Sequence, residues 1–179
     1  MTGFRKFTRE DFADLLRWID NPVLLYQWAG TLFHFPLDEV QLEDYLASSE
    51  KKDANRLIFT AYETESGKHT GHIELNNIDL KNRSACICRV LVGPPECRGL
   101  GIGREMLNKI LVTGFNQLKL HRIELNVFDF NAPAIACYEK AGFIREGLHR
   151  DIRRIGDEYW SLYRMSILEE EWKLKNPTI

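Results

Sequence analysis

Leu91-Val92-Gly93-Pro94-Pro95-Glu96-Cys97-Arg98-Gly99-Leu100-Gly101-Ile102-Gly103 is the stretch on which the reading of this chain turns. An apolar run, residues 90–92, stops at two prolines, which lack the N–H that a strand ladder needs. Glycines then alternate at 99, 101 and 103. Without a Cβ, such positions let several backbone N–H groups turn toward one bound group. Directly behind, residues 104–118 read as a helix, with Ile102, Met106, Leu107, Ile110 and Leu111 at helical spacing. The turn therefore opens onto a helix N-terminus, whose unpaired N–H donors and positive dipole end suit a phosphate. Arg98 adds a cation at the same place. The segment reads as a diphosphate cradle; the competing reading is a glycine-rich turn with no ligand.

Spacing narrows the kind of cradle. A dinucleotide fingerprint would place its third glycine at 104, where the chain has Arg104. A P-loop needs Gly-Lys-Ser/Thr, and no such tripeptide occurs. What remains is Arg-x-x-Gly-x-Gly between an apolar strand and a helix.

That segment, Arg98 to Gly103, resembles the acyl-CoA pyrophosphate loop of the GNAT superfamily of N-acetyltransferases. Downstream, Asn131-Ala132-Pro133-Ala134-Ile135-Ala136-Cys137-Tyr138-Glu139-Lys140-Ala141-Gly142-Phe143 is similar to that family's second signature, Asn-x-x-Ala-x-x-x-Tyr-x-x-x-Gly-Phe. The resemblance covers nearly the whole chain. Residues 156–165 resemble the branch that includes ribosomal-protein N-terminal and spermidine acetyltransferases, although Ser161 stands where members often carry Asp.

Composition sets the outer limits. With 179 residues, 1–179 reads as a single domain able to bury a core without staples. The fractions of 44% hydrophobic and 28% charged residues are those of an ordinary globular chain. A net charge of −2 gives no reason to expect nucleic-acid or membrane binding. No apolar run approaches the roughly 20 residues of a membrane span, and residues 1–6 lead into no secretory segment, so the expected location is the cytoplasm. Cys86, Cys88, Cys97 and Cys137 are too few and scattered for a disulfide framework. As a strand, Cys86-Ile87-Cys88 points both sulfurs to one face. Lacking a second ligand pair at metal spacing, these read as core or site-lining thiols, with no metal expected.

Taken in order, residues 4–7 read as a strand, and Thr8-Arg9-Glu10-Asp11 as a capping-box-like start for a helix with a Phe12, Leu15, Leu16, Ile19 stripe. Asn21-Pro22 stops that helix. Residues 23–35 concentrate Tyr26, Trp28, Phe33, His34 and Phe35, which read either as core or, by the resemblance, as a roof over the acceptor groove. Asp38 caps a second helix with Val40, Leu42, Tyr45 and Leu46 apolar. Strands follow at 56–64, 70–80 and 84–92, then 121–128 after the long helix. Asn131 caps a short helix, 132–141, that Gly142 ends. A hairpin, 143–153 and 158–167, closes the chain. The fold class is α/β (α+β). The resemblance implies a GNAT-like mixed, mostly antiparallel central sheet flanked by helices, with a V-shaped opening between the fourth and fifth strands.

The resemblance also implies a chemistry: transfer of an acetyl group from acetyl-CoA to a primary amine by direct attack. The backbone of Leu91, Val92 and Gly93 would line the pantetheine arm, and the amides of Arg98, Gly99, Leu100, Gly101, Ile102 and Gly103 would hold the pyrophosphate. Asn131 would cap its helix and bond the arm. Tyr138 matches the family's general acid; free phenol and thiol pKa values near ~10 and ~8.5 stand in a suitable relation. Its other reading is a half-buried tyrosine that only packs against the cofactor. Relatives carry a base glutamate early in the strand before the cradle, where this chain has Cys86-Ile87-Cys88. Glu74 and Glu124 are the alternatives, each also readable as a solvated strand residue, and His72 lies in phase with Glu74. Cys137 points about 100° away from Tyr138 on a helix, against a covalent acetyl-cysteine. The acceptor is a protein N-terminus, a polyamine or another small amine, and a homodimer is compatible through the aromatic segment or the closing hairpin. Competing functions are a non-catalytic acyl-CoA sensor or interaction module and a nucleotide-phosphate binder.

Overall fold

The computed structural model describes residues 2–177, so Met1 of the amino-terminal reading lies outside the described residues. Among these, the elements follow in the order β1 (Thr2–Lys6), α1 (Phe12–Trp18), α2 (Pro22–Ala29), α3 (Glu39–Glu50), β2 (Leu57–Glu63), β3 (His69–Asp79), β4 (Ser84–Val92), α4 (Ile102–Val112), β5 (Arg122–Phe128), α5 (Ala132–Ala141), β6 (Ile144–Ile155), β7 (Glu158–Leu168) and α6 (Glu169–Lys175). Hydrogen bonding orders the strands β1-β2-β3-β4-β5-β7-β6. The β1–β2, β2–β3, β5–β7 and β6–β7 registers are antiparallel and β4–β5 is parallel, the mixed and mostly antiparallel sheet expected from the sequence. The described residues group into two compact units, one from the chain up to 76 with 88–106, the other from 77–87 with 107 onwards.

In the first unit, Phe7, Phe12, Leu15, Leu25, Leu42 and Ile58 form the centre of a buried apolar cluster. The Thr8 N–H donates to Asp11 Oδ2 at 2.8 Å, so the expected capping start is present, through a single 3-10 turn before α1. Asn21-Pro22 does more than stop that helix. Asn21 Oδ1 accepts the Leu24 N–H at 2.9 Å and Pro22 takes the first position of α2, a helix that the reading of 23–35 did not include. Asp38 caps α3 by accepting the Gln41 N–H at 2.9 Å. Leu42 and Tyr45 are buried as expected, whereas Val40 is 71% exposed, because two residues before Leu42 puts it about 200° around the helix from that face. The aromatic stretch divides. Trp28 is buried and stacks on Phe33 at 5.7 Å, while Leu32 and Phe35 are exposed.

In the second unit the parallel ladder runs from Ser84–Arg122 to Ile87–Leu125. Along β5, Ile123, Leu125 and Val127 are buried and alternate with Glu124 and Asn126, as their period-2 pattern requires. The long helix begins at Ile102, two residues before the expected start, and its last turn, Thr113–Gln117, widens to a π turn. Gly114 sits there because a Cβ would fall 2.4 Å from Ile123 Cδ1. A final helix, α6, was not expected. Glu171 reaches back to the Leu168 N–H at 2.8 Å, and Trp172 packs on Phe115 at 5.3 Å between ring centres.

Candidate active site

The glycine loop belongs to the first unit. Pro94 leads into a 3-10 turn, Pro95–Cys97, and Gly99 and Gly101 then adopt φ of +78° and +86°. A Cβ at either would meet no atom within 4 Å, so glycine is required here by backbone conformation and not by crowding. Gly103 lies in the first turn of α4, whose Glu105 N–H bonds the Gly101 carbonyl at 3.0 Å. Leu100 is exposed at the tip. The Arg98 guanidinium turns back, donating from Nε to the Val92 carbonyl at 3.3 Å and from Nη2 to the Gly93 carbonyl at 3.2 Å. The Gly93 N–H is committed as well, to Thr70 O at 3.1 Å. Arg98 thus clasps the loop to the end of β4, a role its position in the sequence did not suggest.

Within the same unit Glu74 is fully buried, which corrects its reading as a solvated strand residue. Tyr45 on α3 donates its hydroxyl to Glu74 Oε2 at 2.5 Å, and His72 Nε2 lies 3.1 Å from the same hydroxyl oxygen. Because that O–H is spent on Glu74, His72 must donate from Nε2. Its Nδ1 is then bare, and it makes no hydrogen bond. Burial, helped by the Arg89 charge and opposed by Asp11, pushes His72 down to about 3, so the ring is neutral. Burial holds the Tyr45 phenol well above its ordinary value, and the Glu74 charge adds to that. The expected sharing of a face by His72 and Glu74 is therefore found, with Tyr45 as the bridge.

Arg89 completes the cluster. Its Nε donates to Glu74 Oε2 and, at 3.3 Å, to Tyr45 Oη. Arg56 approaches the other Glu74 oxygen at 3.7 Å. Burial works against the Arg89 charge, but the Glu74 hydrogen bond and the negative surroundings outweigh it and the guanidinium is held protonated. The carbonyl of Arg89 accepts the Trp28 indole N–H at 2.9 Å. Sequence reasoning missed Arg89; the signal was an arginine inside the apolar run of β4.

The second unit carries the other candidates. Asn131 Oδ1 accepts the Ala134 N–H at 3.3 Å and so caps α5, while Gly142 ends that helix at φ +110°. Tyr138 is buried one turn earlier, its ring edge-on to Phe143 at 6.1 Å. Glu124 is half-buried, 3.0 Å from Arg122 Nη2 and 3.7 Å from Arg164 Nη1, so it too is ion-paired rather than freely solvated. Cys86, buried, sits opposite Glu124 in the parallel register. Phe128, Phe130 and Trp160 pack as three mutually touching rings, with Phe128 and Phe130 stacked at 5.4 Å.

Comparison with known proteins converges on one family. Residues 23–143 match the profile described as Acetyltransferase (GNAT) family. The chain is 34% identical over 175 residues to the uncharacterized N-acetyltransferase p20 of Bacillus licheniformis, spanning 94% of this chain and 93% of that one. It is 34% identical over 102 residues to the spermidine N(1)-acetyltransferase of Vibrio cholerae, a match over 57% of this chain and 58% of that enzyme. The crystal structure of spermidine N-acetyltransferase from Vibrio cholerae in complex with CoA and spermine superposes with a TM-score of 0.83 at 26% identity, over 96% of this chain and 97% of that one.

Proposed function

The chain belongs to the GNAT family of acetyltransferases, and from that premise we propose that it acetylates a small primary amine with acetyl-CoA by direct attack, as one domain acting in the cytoplasm. The observation that carries this reading is the glycine loop: two left-handed residues without side chains open directly onto the N-terminus of α4. Such a turn fits a bound diphosphate. The amides from Arg98 to Gly103 hold it, and the main chain of Leu91, Val92 and Gly93 lies along the pantetheine arm. Both polar groups of Gly93 and the carbonyl of Val92 are already bonded within the protein, so the contribution of this segment falls to Leu91 and the Val92 N–H. Among the described residues no helix is long and apolar enough to cross a membrane.

Acetyl-CoA supplies an activated acyl carbon and a thiolate leaving group. Tyr138 delivers its phenol proton to the departing sulfur, and Asn131 holds the helix that aims it. Glu124 takes the proton of the attacking amine through water. Its pairing with Arg122 and Arg164 orients the carboxylate. The solved neighbour, a spermidine acetyltransferase crystallised with CoA and spermine, supports a small amine such as a polyamine as acceptor.

Release of free CoA thiol with a panel of polyamines, amino acids, aminoglycosides and N-terminal peptides tests the assignment. Amine-dependent thiol release supports it. Tight CoA binding without turnover on any amine would leave only the non-catalytic sensor, and stronger thermal stabilisation by ATP or NAD than by CoA would point to a nucleotide binder.

A further inference from the structure

We propose that Glu74 is a positioning residue that acts through Arg89: the buried Glu74–Arg89–Tyr45 set, with Trp28, fixes a left-handed main-chain turn inside β4 and thereby aims the backbone of residues 90–93. The aim matters for catalysis only if that backbone receives the coenzyme, so this inference rests on the acetyltransferase reading.

Arg89 has φ +51°, a conformation that a residue with a Cβ avoids and that persists only where its surroundings over-determine it. Here the residue is held at both ends. Its carbonyl accepts the Trp28 indole N–H at 2.9 Å, and its guanidinium is bonded to Glu74 and Tyr45, with the Tyr45 ring centre 5.4 Å away. The arginine side chain is 9% exposed and that of Glu74 is 0% exposed. Two residues later comes Leu91, whose carbonyl lies 2.7 Å from where a Cβ of Gly71 would stand, so the main chains of β3 and β4 approach closely there and a glycine is needed at 71. A left-handed residue just before this close approach redirects the main chain that follows it, residues 90–93.

A buried ion pair is a poor device for raw stability, since well-packed apolar residues in its place are often neutral or stabilising. Three groups converging on one unfavourable torsion are better explained as a device for conformational specificity. The same burial argues against Glu74 as a base. Its Oε2 already accepts from Tyr45 and Arg89, and Arg56 faces its Oε1.

The test uses Glu74→Gln and, because that variant leaves a buried arginine unpaired, the double variant Glu74→Leu/Arg89→Met, which removes both charges. Backbone chemical shifts at residues 89–93 of the unliganded protein report the torsion without any coenzyme. Calorimetry with CoA and steady-state kinetics report its use. The expected result is a shift of the 89–93 signals away from the left-handed pattern, CoA affinity and the KM for acetyl-CoA each weakened about 10-fold or more, kcat changed less, and a double variant that still melts cooperatively. Secondary shifts, each taken relative to the residue in place, that keep the left-handed pattern at 89 and the wild-type pattern at 90–93 in the double variant would overturn the proposal. So would a kcat loss of about 100-fold or more in Glu74→Gln with CoA affinity intact and the acidic limb of the pH–rate profile abolished, the signature of a general base. Failure of wild-type protein to bind CoA would refute the acetyltransferase reading instead, leaving the chemical shifts to decide the role of Glu74.

Discussion

Gly93 lies against the indole of Trp18 so closely that a Cβ on the glycine would fall 2.1 Å from Cδ2 of the ring. Trp18 is buried at the end of α1, and Gly93 follows the last residue of β4, so the contact ties the first helix to the strand that leads into the glycine loop. Replacing Gly93 by alanine forces the ring or the strand to move. Overpacking of this kind costs about 1–3 kcal/mol. Gly93→Ala should therefore lower the melting temperature by several degrees and weaken CoA binding, while Trp18→Leu in the same chain restores part of both. Calorimetric melting with and without CoA measures it, and an alanine variant as stable and as tight-binding as wild type would contradict the contact.

Gly99 and Gly101 make the opposite case. No atom stands near either, and the demand is on φ alone. Alanine at a left-handed position costs about 1–2 kcal/mol, so the loop of each variant will relax to another conformation rather than clash. Gly99→Ala and Gly101→Ala should each raise the KM for acetyl-CoA about 5- to 30-fold, the kinetic equivalent of that cost, with little change in melting temperature. The double variant should be worse than either. KM values that stay at wild type would mean the loop does not hold the coenzyme.

For Tyr138, removal of the hydroxyl alone separates chemistry from packing. Tyr138→Phe keeps the ring and its edge contact with Phe143. A general acid contributes roughly 10²–10⁴-fold, so kcat should fall by that much while CoA affinity changes less than about threefold. A kcat within twofold of wild type would reduce the residue to a packing role.

Much of this arrangement was legible because local signals carry their own geometry. Asn131 and Gly142 bracket α5 at the two positions where a cap and a left-handed stop are needed, and β4 ends where two prolines forbid a ladder. The helix α2 escaped because Asn21-Pro22 serves both as the stop after α1 and as the cap and first residue of the next helix. In α6 the run Glu169-Glu170-Glu171 hides a single buried anchor, Trp172, and Leu174 is 83% exposed, so no apolar stripe announces it. The phase relation of His72 and Glu74 could be read from alternation along β3. Their partners could not: Tyr45 and Arg89 come from a different helix and a different strand, and only folding decides which polar groups share one interior. The same holds for Arg98, whose clasp on Val92 and Gly93 depends on the loop turning back on itself.

His72 gives the fold a pH dependence whose sign follows from its burial. In the folded chain the ring is neutral down to about pH 3, whereas the free side chain takes up a proton near 6.5. Unfolding below pH 6.5 therefore binds a proton that the native state refuses. The stabilisation from the neutral, buried ring is fully present above about 6.5 and is lost progressively as pH falls toward 3. The slope is at most about 1.4 kcal/mol per pH unit for one proton. Glu146, held down to about 2 first by its hydrogen bond to Arg122, and Asp11, lowered because Arg5 and Thr8 hydrogen bonds outweigh its burial, add their own acid losses at lower pH. Glu96 and Glu169, also held below the ordinary carboxylate value by Lys68 and Lys173, begin to contribute at about pH 4.5. The difference between wild type and a variant without the imidazole is therefore what reports the histidine from about pH 4.5 to 6.5. Urea unfolding of wild type across that window should lose roughly 2–3 kcal/mol, or about 5–10 °C in melting temperature for a chain of this size. His72→Gln retains an N–H for the Tyr45 oxygen without a titrating group, so its stability should fall less steeply by close to one proton's worth, even if it is the weaker protein at pH 8. Parallel stability curves for the two proteins between pH 4.5 and 6.5 would show that His72 titrates in the folded chain as it does in water, and the buried Tyr45–His72–Glu74 arrangement would have to be abandoned.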